Sequence, residues 1–324
     1  MSRPPISDDP LPLEELSSVL SPNTYQWLAT SSHNNADDDD EQEDPAAAAA
    51  RLFGGSSSGG SDDKDEGDDD IPRVEYWSSS SSSSQSANDS SSSLQVAYIL
   101  SISSGGHGDS VWPAAKCLSS QLADPDQCQQ VLRDKSLQSS SFLELGAGSG
   151  LVSWAALCLG APIVVCTDQA IPHRIQCLAE SAIRNQRQFC SKLSENLSER
   201  QRVQVSPYDW GSPTADLFAV FDAEEQQAGE GFDIIVAADC VYMPDCHDIL
   251  LESIHKLLSK DGIALLPFAL HGNTPDEKVW NIREKASQKG FLVETLQAIQ
   301  VKELAEGMDS KRGLVHTLRL SFMM

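Results

Sequence analysis

The chain has few basic residues for its length. Its 324 residues include 23 lysines and arginines against 48 aspartates and glutamates, and the formal net charge at pH 7 is −25. Proteins that bind nucleic acid usually concentrate Lys and Arg on one face, so this balance argues against a phosphate-binding surface. An acidic surface attracts partners of opposite charge. We therefore expect a basic protein partner and no nucleic acid.

Paired cysteines and long apolar runs are also missing. The eight cysteines contain no Cys-x-x-Cys pair, and several lie in apolar runs, as buried free thiols do. We therefore expect no metal site, no disulfide framework and a reducing compartment. No apolar run approaches the length of a membrane span, and the amino terminus lacks the apolar stretch of a signal peptide. We expect a soluble monomer in the cytoplasm, with the nucleus as a second compartment, and no membrane partner.

Residues 1–93 differ in composition from the rest. Residues 1–90 hold 20 acidic and 4 basic side chains, and 31–93 consist mainly of acidic, alanine, glycine and serine runs. Such a segment cannot bury enough apolar surface to offset its ordering entropy, so we predict a largely disordered acidic, Ser-rich extension. Leu11–Leu28 is apolar enough for a short helix docked on the domain. Ile71–Trp77 is either a strand added at the domain edge or a docking peptide.

The ordered domain is predicted over residues 94–324, where strand and helix patterns alternate. LQVAYILSI, from Leu94, reads as a strand, and seven further strands follow: FLELGA, PIVVCTD, RVQVSPYDWG, FDIIVAADCVY, GIALLPFALH, FLVETLQAIQV and GLVHTLRLSF. A first helix is predicted to start near Val111–Pro113, capped by Asp109 or Ser110. Five further helices are predicted over Gly150–Ala161, Ala170–Phe189, Thr214–Gln227, Asp245–Ser259 and Pro275–Lys289. Helical crossovers predict a parallel, doubly wound α/β sheet of seven strands that ends in an antiparallel pair.

A glycine turn follows the strand that begins at Phe142. Its glycines, Gly146, Gly148 and Gly150, let the backbone approach a ligand where any Cβ would clash. In the dinucleotide fingerprint the third glycine would fall at Leu151 instead. Together with Glu144, which can accept a hydrogen bond from an ammonium group, this spacing favours S-adenosylmethionine over a nicotinamide cofactor. A turn that binds nothing is the alternative.

Acidic and aromatic residues end the neighbouring strands. Asp168 lies about twenty residues after the first glycine, where a carboxylate can accept both ribose hydroxyls; capping of the following helix is its alternative role. Trp210 can stack on an adenine, with Asp209 accepting from the amino group, although most tryptophans only pack. Asp239 and Tyr242 can hold an amine in line with a sulfonium methyl. For Asp239, orienting the amine and capping the following helix are both open.

Five motifs carry a resemblance to a known family. The motifs are GDSVWPAA (Gly108–Ala115), LELGAGSGLVS (Leu143–Ser153), VVCTDQ (Val164–Gln169), YDWG (Tyr208–Gly211) and ADCVYMPD (Ala238–Asp245). Together they resemble the lysine-methyltransferase-like group of seven-β-strand, class I methyltransferases, also called family sixteen. The resemblance runs from about Gly105 to Met324. It implies a Rossmann-like fold and S-adenosylmethionine as cofactor.

The resemblance also implies roles for individual residues. Trp112 and Ala238 would lie beside the cofactor, Glu144 to Gly150 would hold its methionine end, Asp168 its ribose and Trp210 its adenine. Asp239 and Tyr242 would face the substrate nitrogen. The chain departs from many members at Pro113, where they have aspartate. This leaves the target open, because the group acts on lysine, arginine or histidine side chains.

The leading hypothesis is therefore an S-adenosylmethionine-dependent protein N-methyltransferase that modifies lysine on an intracellular protein. Alternatives are arginine or histidine as target, a small-molecule substrate, or a non-catalytic binding module that keeps the fold. A nicotinamide oxidoreductase is a more distant alternative. The absence of a D/N-P-P-Y/F motif after the fourth strand argues against a nucleobase amine. His107, His247 and His271 are assigned no catalytic role. The sequence leaves open the target protein, the number of methyls added and the role of the extension.

Overall fold

The structure is a computed structural model. It describes residues 10–34, 74–79, 93–100, 110–188, 201–222, 231–270, 274–301 and 313–323. The strands are β1 (Val74–Ser78), β2 (Gln95–Ile99), β3 (Ser141–Leu145), β4 (Ile163–Asp168), β5 (Arg202–Pro207), β6 (Phe232–Val236), β7 (Leu258–Ala269), β8 (Phe291–Thr295), β9 (Ile299–Gln300) and β10 (Leu314–Phe322). The helices are α1 (Leu13–Leu16), α2 (Pro22–Asn34), α3 (Pro113–Ala123), α4 (Pro125–Leu132), α5 (Leu151–Cys158), α6 (Pro172–Gln188), α7 (His247–Leu257), α8 (Asp276–Trp280) and α9 (Ile282–Gln288).

The main sheet confirms the predicted fold class. Its strand order is β5-β4-β3-β6-β7-β10-β8, with the short β9 paired to β10. Strands β3 to β7 run parallel to one another, whereas β10 runs antiparallel to both β7 and β8. The order reverses between β3 and β6, and in open α/β sheets ligands bind outside the carboxyl ends of the strands at such a point. The fold therefore brings the glycine turn after β3 beside the loop after β6.

Apolar side chains cover both faces of this sheet. Every residue of β3 and β4 is buried, which is the pattern of parallel strands with helices on both sides. One core cluster joins α5, α3 and α6 to the sheet, and Trp154 is its largest fully buried side chain. The other cluster joins α7 and α9 to the opposite face, with Phe232 and Phe291 at its centre. These two layers hold the loops at the carboxyl edge in place.

Part of the N-terminal extension packs against the domain. Ser21 caps α2, since its hydroxyl accepts a hydrogen bond from the Thr24 amide at 3.2 Å. Leu16 and Leu28 are buried against the main core. Leu20 forms an isolated parallel bridge with Val205 of the edge strand β5. The predicted segment Leu11–Leu28 is therefore helical and docked, but it forms α1, a 3₁₀ turn at Ser17–Val19 and the longer α2, which continues to Asn34.

The IPRVEYW segment contributes β1, which pairs antiparallel with β2 in a separate two-stranded sheet. LQVAYILSI is therefore not a strand of the main sheet. Side chains of α6 bind the other edge of β2: the Asn185 amide donates to the Ala97 carbonyl at 2.6 Å and accepts from its amide at 3.0 Å, and Ser181 accepts from the Ile99 amide. The side-chain amide of Asn185 thus makes the two backbone hydrogen bonds that a neighbouring strand would make at Ala97.

Several predicted boundaries were wrong. The helix expected over Thr214–Gln227 is a 3₁₀ turn at Ala215–Val220, and residues 223–230 lie outside the described part. Pro275–Lys289 is divided at Asn281 into α8 and α9. FLVETLQAIQV is divided into β8 and β9. The first domain helix, α3, is preceded by Trp112 without a side-chain cap, and Asp109 lies outside the described residues.

Candidate functional site

The turn after β3 consists of three left-handed glycines. Gly146, Gly148 and Gly150 have φ angles of 66°, 56° and 71°. A Cβ at Gly146 would lie 2.9 Å from the Cys240 sulfur and 3.3 Å from the Trp210 ring. The turn therefore approaches both the β6 loop and the β5 loop more closely than a side chain allows.

Gly146→Ala should destabilise the fold by about 2–4 kcal/mol, because it adds strain at a positive φ to a clash with Cys240. Gly290→Ala is the matched control: its φ is 89°, yet a Cβ there meets no atom within 4 Å. That variant should lose about 1 kcal/mol, from backbone strain alone. Urea denaturation measures both. If both variants lost the same free energy of unfolding, the clash with Cys240 would not contribute to the effect of Gly146→Ala.

Glu144 lies beneath the turn. Its side chain is 1% exposed, and one carboxylate oxygen accepts hydrogen bonds from the Ser153 amide at 2.8 Å and the Ser153 hydroxyl at 2.6 Å. Burial raises the pKa of Glu144 to about 7, although the two bonds from Ser153 favour the ionised form. The carboxylate thus fixes the first turn of α5 and places a titratable charge under the glycines.

Asp168 ends β4 beside the same turn. One oxygen accepts from the Gly148 amide at 2.6 Å, and the other accepts from the Gln169 amide at 2.8 Å and the Arg174 guanidinium at 2.9 Å. Asp168 and Arg174 are each 5% exposed. The alternative role, capping the next helix, does not describe these contacts, because the partners come from the glycine turn, the adjacent residue and an arginine side chain.

This arrangement fits an S-adenosyl nucleoside. Two carboxylates flank the turn, suited to an ammonium group and a ribose diol. Glu144 would hold the ammonium from below and Asp168 the diol, while Trp210 borders the turn from β5.

The two predicted tryptophans belong to different elements, the loop after β5 and the start of α3. Trp210 is half-buried, and its ring contacts Gly146. The following Gly211 amide donates to the Ser253 hydroxyl at 2.8 Å, which ties the β5 loop to α7. Trp112, also half-buried, directly precedes α3. Trp210 therefore lies next to the glycine turn, and its predicted contact with an adenine stays a prediction.

Asp239 holds two backbone segments together. Its φ is 51°, in the left-handed region that Asp tolerates better than most residues. One carboxylate oxygen accepts from the Ala114 amide in the first turn of α3 at 3.1 Å, and the other accepts from the Ala269 amide at the end of β7 at 2.9 Å. The helix that Asp239 caps is therefore α3 and not the following helix, since α7 has no side-chain cap.

The loop from Ala238 to Tyr242 runs directly over the glycine turn. The Cys240 thiol donates to the carbonyls of Leu145 and Ala238, both at 3.4 Å. Tyr242 is half-buried at the end of this loop, and burial raises the pKa of its hydroxyl. The phenol therefore stays protonated at neutral pH. The structure thus brings the loop that carries Asp239 and Tyr242 beside the turn that carries the glycines.

Sequence reasoning missed three contributors. Ser153 and Arg174, which orient Glu144 and Asp168, belong to helices read only for their apolar faces. The backbone amides that bind Asp239 carry no sequence signal at all.

Of the three histidines considered in the sequence, His247 is buried, whereas His107 and His271 lie outside the described residues. Within the described ranges, no group of three or more His, Cys, Asp or Glu residues could hold a metal, and the seven described cysteines form no disulfide.

The part of the chain that the structure describes contains no helix long and apolar enough to span a membrane. The sequence matches the lysine methyltransferase family over residues 92–278, more than half of the chain. The Neurospora crassa protein N-terminal and lysine N-methyltransferase efm7 is 29% identical over 166 residues, which cover 50% of this chain and 56% of that protein. The Danio rerio protein N-lysine methyltransferase METTL21A is 29% identical over 153 residues, 47% of this chain and 59% of that protein.

The chain thus spans between half and two thirds of the length of these relatives. Among solved structures, a ribosomal protein L11 methylase from Lactobacillus delbrueckii subsp. bulgaricus aligns with 61% of this chain and 79% of its own, at 17% identity and a TM-score of 0.39. The glycopeptide N-methyltransferase MtfA complexed with sinefungin aligns with 60% of this chain and 92% of its own, at 14% identity and a TM-score of 0.37.

Proposed function

The chain belongs to the lysine methyltransferase family, and from this premise we propose that it transfers a methyl group from S-adenosylmethionine to an amine of a protein, with a lysine side chain as the target. The observation that carries the proposal is the junction of two loops: the glycine turn with Glu144 and Asp168 lies directly against the loop that holds Asp239 and Tyr242. The relatives named above support a protein amine as acceptor, since both are named for lysine methylation.

The residues of the chain mainly bind and align the reactants. When bound, S-adenosylmethionine supplies a methyl group already activated by a positively charged sulfur. Direct displacement then needs the amine in line with that methyl, and alignment accounts for much of the rate. Asp239 uses an oxygen on each of two backbone amides, so its role is to hold the loop in place. Tyr242 is the residue of this loop that we assign to the amine.

A free lysine has a pKa of about 10.4, so its amine is protonated at neutral pH. The amine must therefore lose a proton before it can attack. A neighbouring positive charge lowers that pKa, and water can then take the proton. The Tyr242 phenol, protonated at neutral pH, has a hydroxyl oxygen that can accept a hydrogen bond from the neutral amine. This assigns alignment to Tyr242 and requires no protein base.

The net charge of the chain supports a proposal about the sequence around the target lysine. With a net charge of −25, the chain should prefer a target lysine in a basic sequence context. We propose that the protein acts as a monomer in the cytoplasm, with the nucleus as a second compartment, and that it modifies protein and not RNA.

Label transfer tests the proposed function. Purified protein, cell extract and S-adenosylmethionine with an isotope-labelled methyl should label a protein band, and digestion should place the label on lysine. Tyr242→Phe should bind S-adenosylhomocysteine like the wild type and transfer label at least about tenfold more slowly. Label found in RNA or in a small metabolite would overturn the protein substrate. Cofactor binding without any transfer would support a non-catalytic binding module instead.

Cofactor affinity should depend on pH through Glu144. Its pKa of about 7 means that the carboxyl is largely neutral at pH 6 and ionised at pH 8. Because the ionised form attracts an ammonium group, the affinity for S-adenosylhomocysteine should rise about tenfold between these values. Calorimetric titration measures it. Glu144→Gln should bind more weakly and lose the pH dependence, and an unchanged slope in that variant would assign the titration to another group.

The same group makes the opposite contribution to stability. The folded protein holds this proton up to about pH 7, whereas the ordinary pKa of the carboxyl is 4.5. Protonation therefore favours the folded state, so the contribution of Glu144 to the free energy of unfolding falls as pH rises from about 4.5 to about 7 and is constant above. Cofactor binding and stability thus change in opposite directions over the same pH range.

A further inference from the structure

His247 occupies the first position of α7, and its side chain is 0% exposed. Its Nε2 lies 2.8 Å from the carbonyl oxygen of Val241. A carbonyl oxygen can only accept a hydrogen bond, so Nε2 must carry a proton. Nδ1 makes no hydrogen bond to the described residues. The imidazole therefore makes one specific polar contact, and that contact is to the loop after β6.

A fully buried imidazole is costly unless its polar atoms are used. Burial lowers the pKa of His247, which keeps the ring neutral with a single proton. A leucine would fill a similar volume without a polar atom, but it would leave the Val241 carbonyl without this donor. Packing alone thus does not explain a histidine here, whereas the need for a donor to Val241 does.

The Val241 carbonyl belongs to the peptide bond that leads into Tyr242. The carbonyl of Tyr242 itself accepts a hydrogen bond from the Thr274 hydroxyl at 3.4 Å. The peptide planes before and after Tyr242 are therefore both held by side chains. Asp239 fixes the start of the same loop through its two backbone contacts. The backbone around the phenol is constrained at three points, two of which flank Tyr242 directly.

We propose that His247 is a positioning residue for Tyr242: by holding the Val241 carbonyl it fixes the backbone from which the phenol reaches the substrate amine. The proposal rests on the proposed function for its catalytic consequence, because Tyr242 is the residue assigned to the amine. Its structural part, the restraint of the loop, stands on the contacts alone. A rigid backbone under an aligning group matters since small displacements of reacting groups reduce rates strongly.

Hydrogen exchange and kinetics together test this role. The variants are His247→Leu, which removes the donor, and His247→Gln, whose amide can reach the same carbonyl. The control is His255→Leu on the same helix, where the exposed ring touches only Phe291 and Phe322 among the aromatic side chains described. Mass spectrometry follows amide exchange in the peptide 239–246. Calorimetry measures S-adenosylhomocysteine affinity, and label transfer measures kcat and KM.

His247→Leu should exchange at least about tenfold faster in that peptide, with kcat reduced at least about tenfold and with cofactor affinity within about twofold of the wild type. His247→Gln should restore both exchange and kcat, and His255→Leu should change neither. Unchanged exchange in His247→Leu would overturn the proposal even if the enzyme methylates protein. Faster exchange with unchanged kcat would overturn the catalytic part. If the wild type transfers no methyl at all, the exchange result still decides whether His247 restrains the loop.

Discussion

Asp168→Asn should weaken S-adenosylhomocysteine binding by at least about a hundredfold, because it removes the charge from the group assigned to the ribose hydroxyls. Hydrogen bonds to a charged group are worth about 1.5–3 kcal/mol each, and the diol makes two. The new amide would also direct its N–H groups at the Gly148 amide or at Arg174, both of which are donors. Calorimetric titration measures the affinity.

Asp233→Asn is the matched control for a general loss of stability. Its carboxylate lies near the amino ends of β3 and β6 and accepts from the Ser141 amide and hydroxyl, both at 3.0 Å. This substitution also breaks contacts that are partly buried, and it lies at the opposite end of the strands from the glycine turn. Both variants should melt at lower temperature, yet only Asp168→Asn should lose binding. Binding within threefold of the wild type would remove Asp168 from the cofactor site.

A double variant separates the buried charge from ligand binding. Asp168→Asn removes the ionised carboxylate that the Arg174 guanidinium, 5% exposed, contacts at 2.9 Å. Removing one partner of a buried ion pair typically costs about 3–5 kcal/mol. Combining it with Arg174→Met should recover part of that stability while S-adenosylhomocysteine binding stays lost. Binding that returns with stability would show that Asp168 acts only through the fold.

The local sequence was sufficient to predict the main sheet and the glycine turn. Strands such as β3 and β4 are short apolar runs buried on both faces, and glycines between a strand and a helix are a local signal. The Asp239 contacts could not be predicted, because they join residues 125 and 30 positions away in the sequence. The sequence places Asp239 at the correct loop but not its partners, which depend on how α3 and β7 pack.

The missed helix α4 shows a signal that was present but not used. Asp124 accepts hydrogen bonds from the amides of Asp126 and Gln127, with Pro125 in the first helical position. Asp followed by Pro is a common helix start. Within residues 1–93, the apolar stretch Leu11–Leu28 did predict a docked helix. Its contact with Val205 could not be predicted from the local sequence, because that residue lies far along the chain.

Deleting residues 1–34 should remove at least about 5 kcal/mol from the free energy of unfolding. Leu16, Val19, Leu20 and Leu28 are each buried to at least 92%. Burial of one such side chain contributes about 1.5–3 kcal/mol. Adding these contributions for the four side chains gives an upper bound, because unfolded chains are already partly compact. Domains are stable by only about 5–15 kcal/mol in total, so the truncated protein should unfold at much lower urea concentration.

The same deletion exposes the edge strand β5, because Leu20 bridges Val205 there. An uncovered edge strand promotes association, so the truncated protein should also form soluble aggregates that size-exclusion chromatography detects.

Point variants of the full chain test the same burial. Leu16→Ala should reduce the free energy of unfolding by about 2–5 kcal/mol, whereas Leu292→Ala, at a leucine that is 46% exposed, should reduce it by less than about 1 kcal/mol. A truncated protein as stable as the full chain would mean that the docked helices only cover the domain, while equal losses in the two leucine variants would contradict the burial of Leu16.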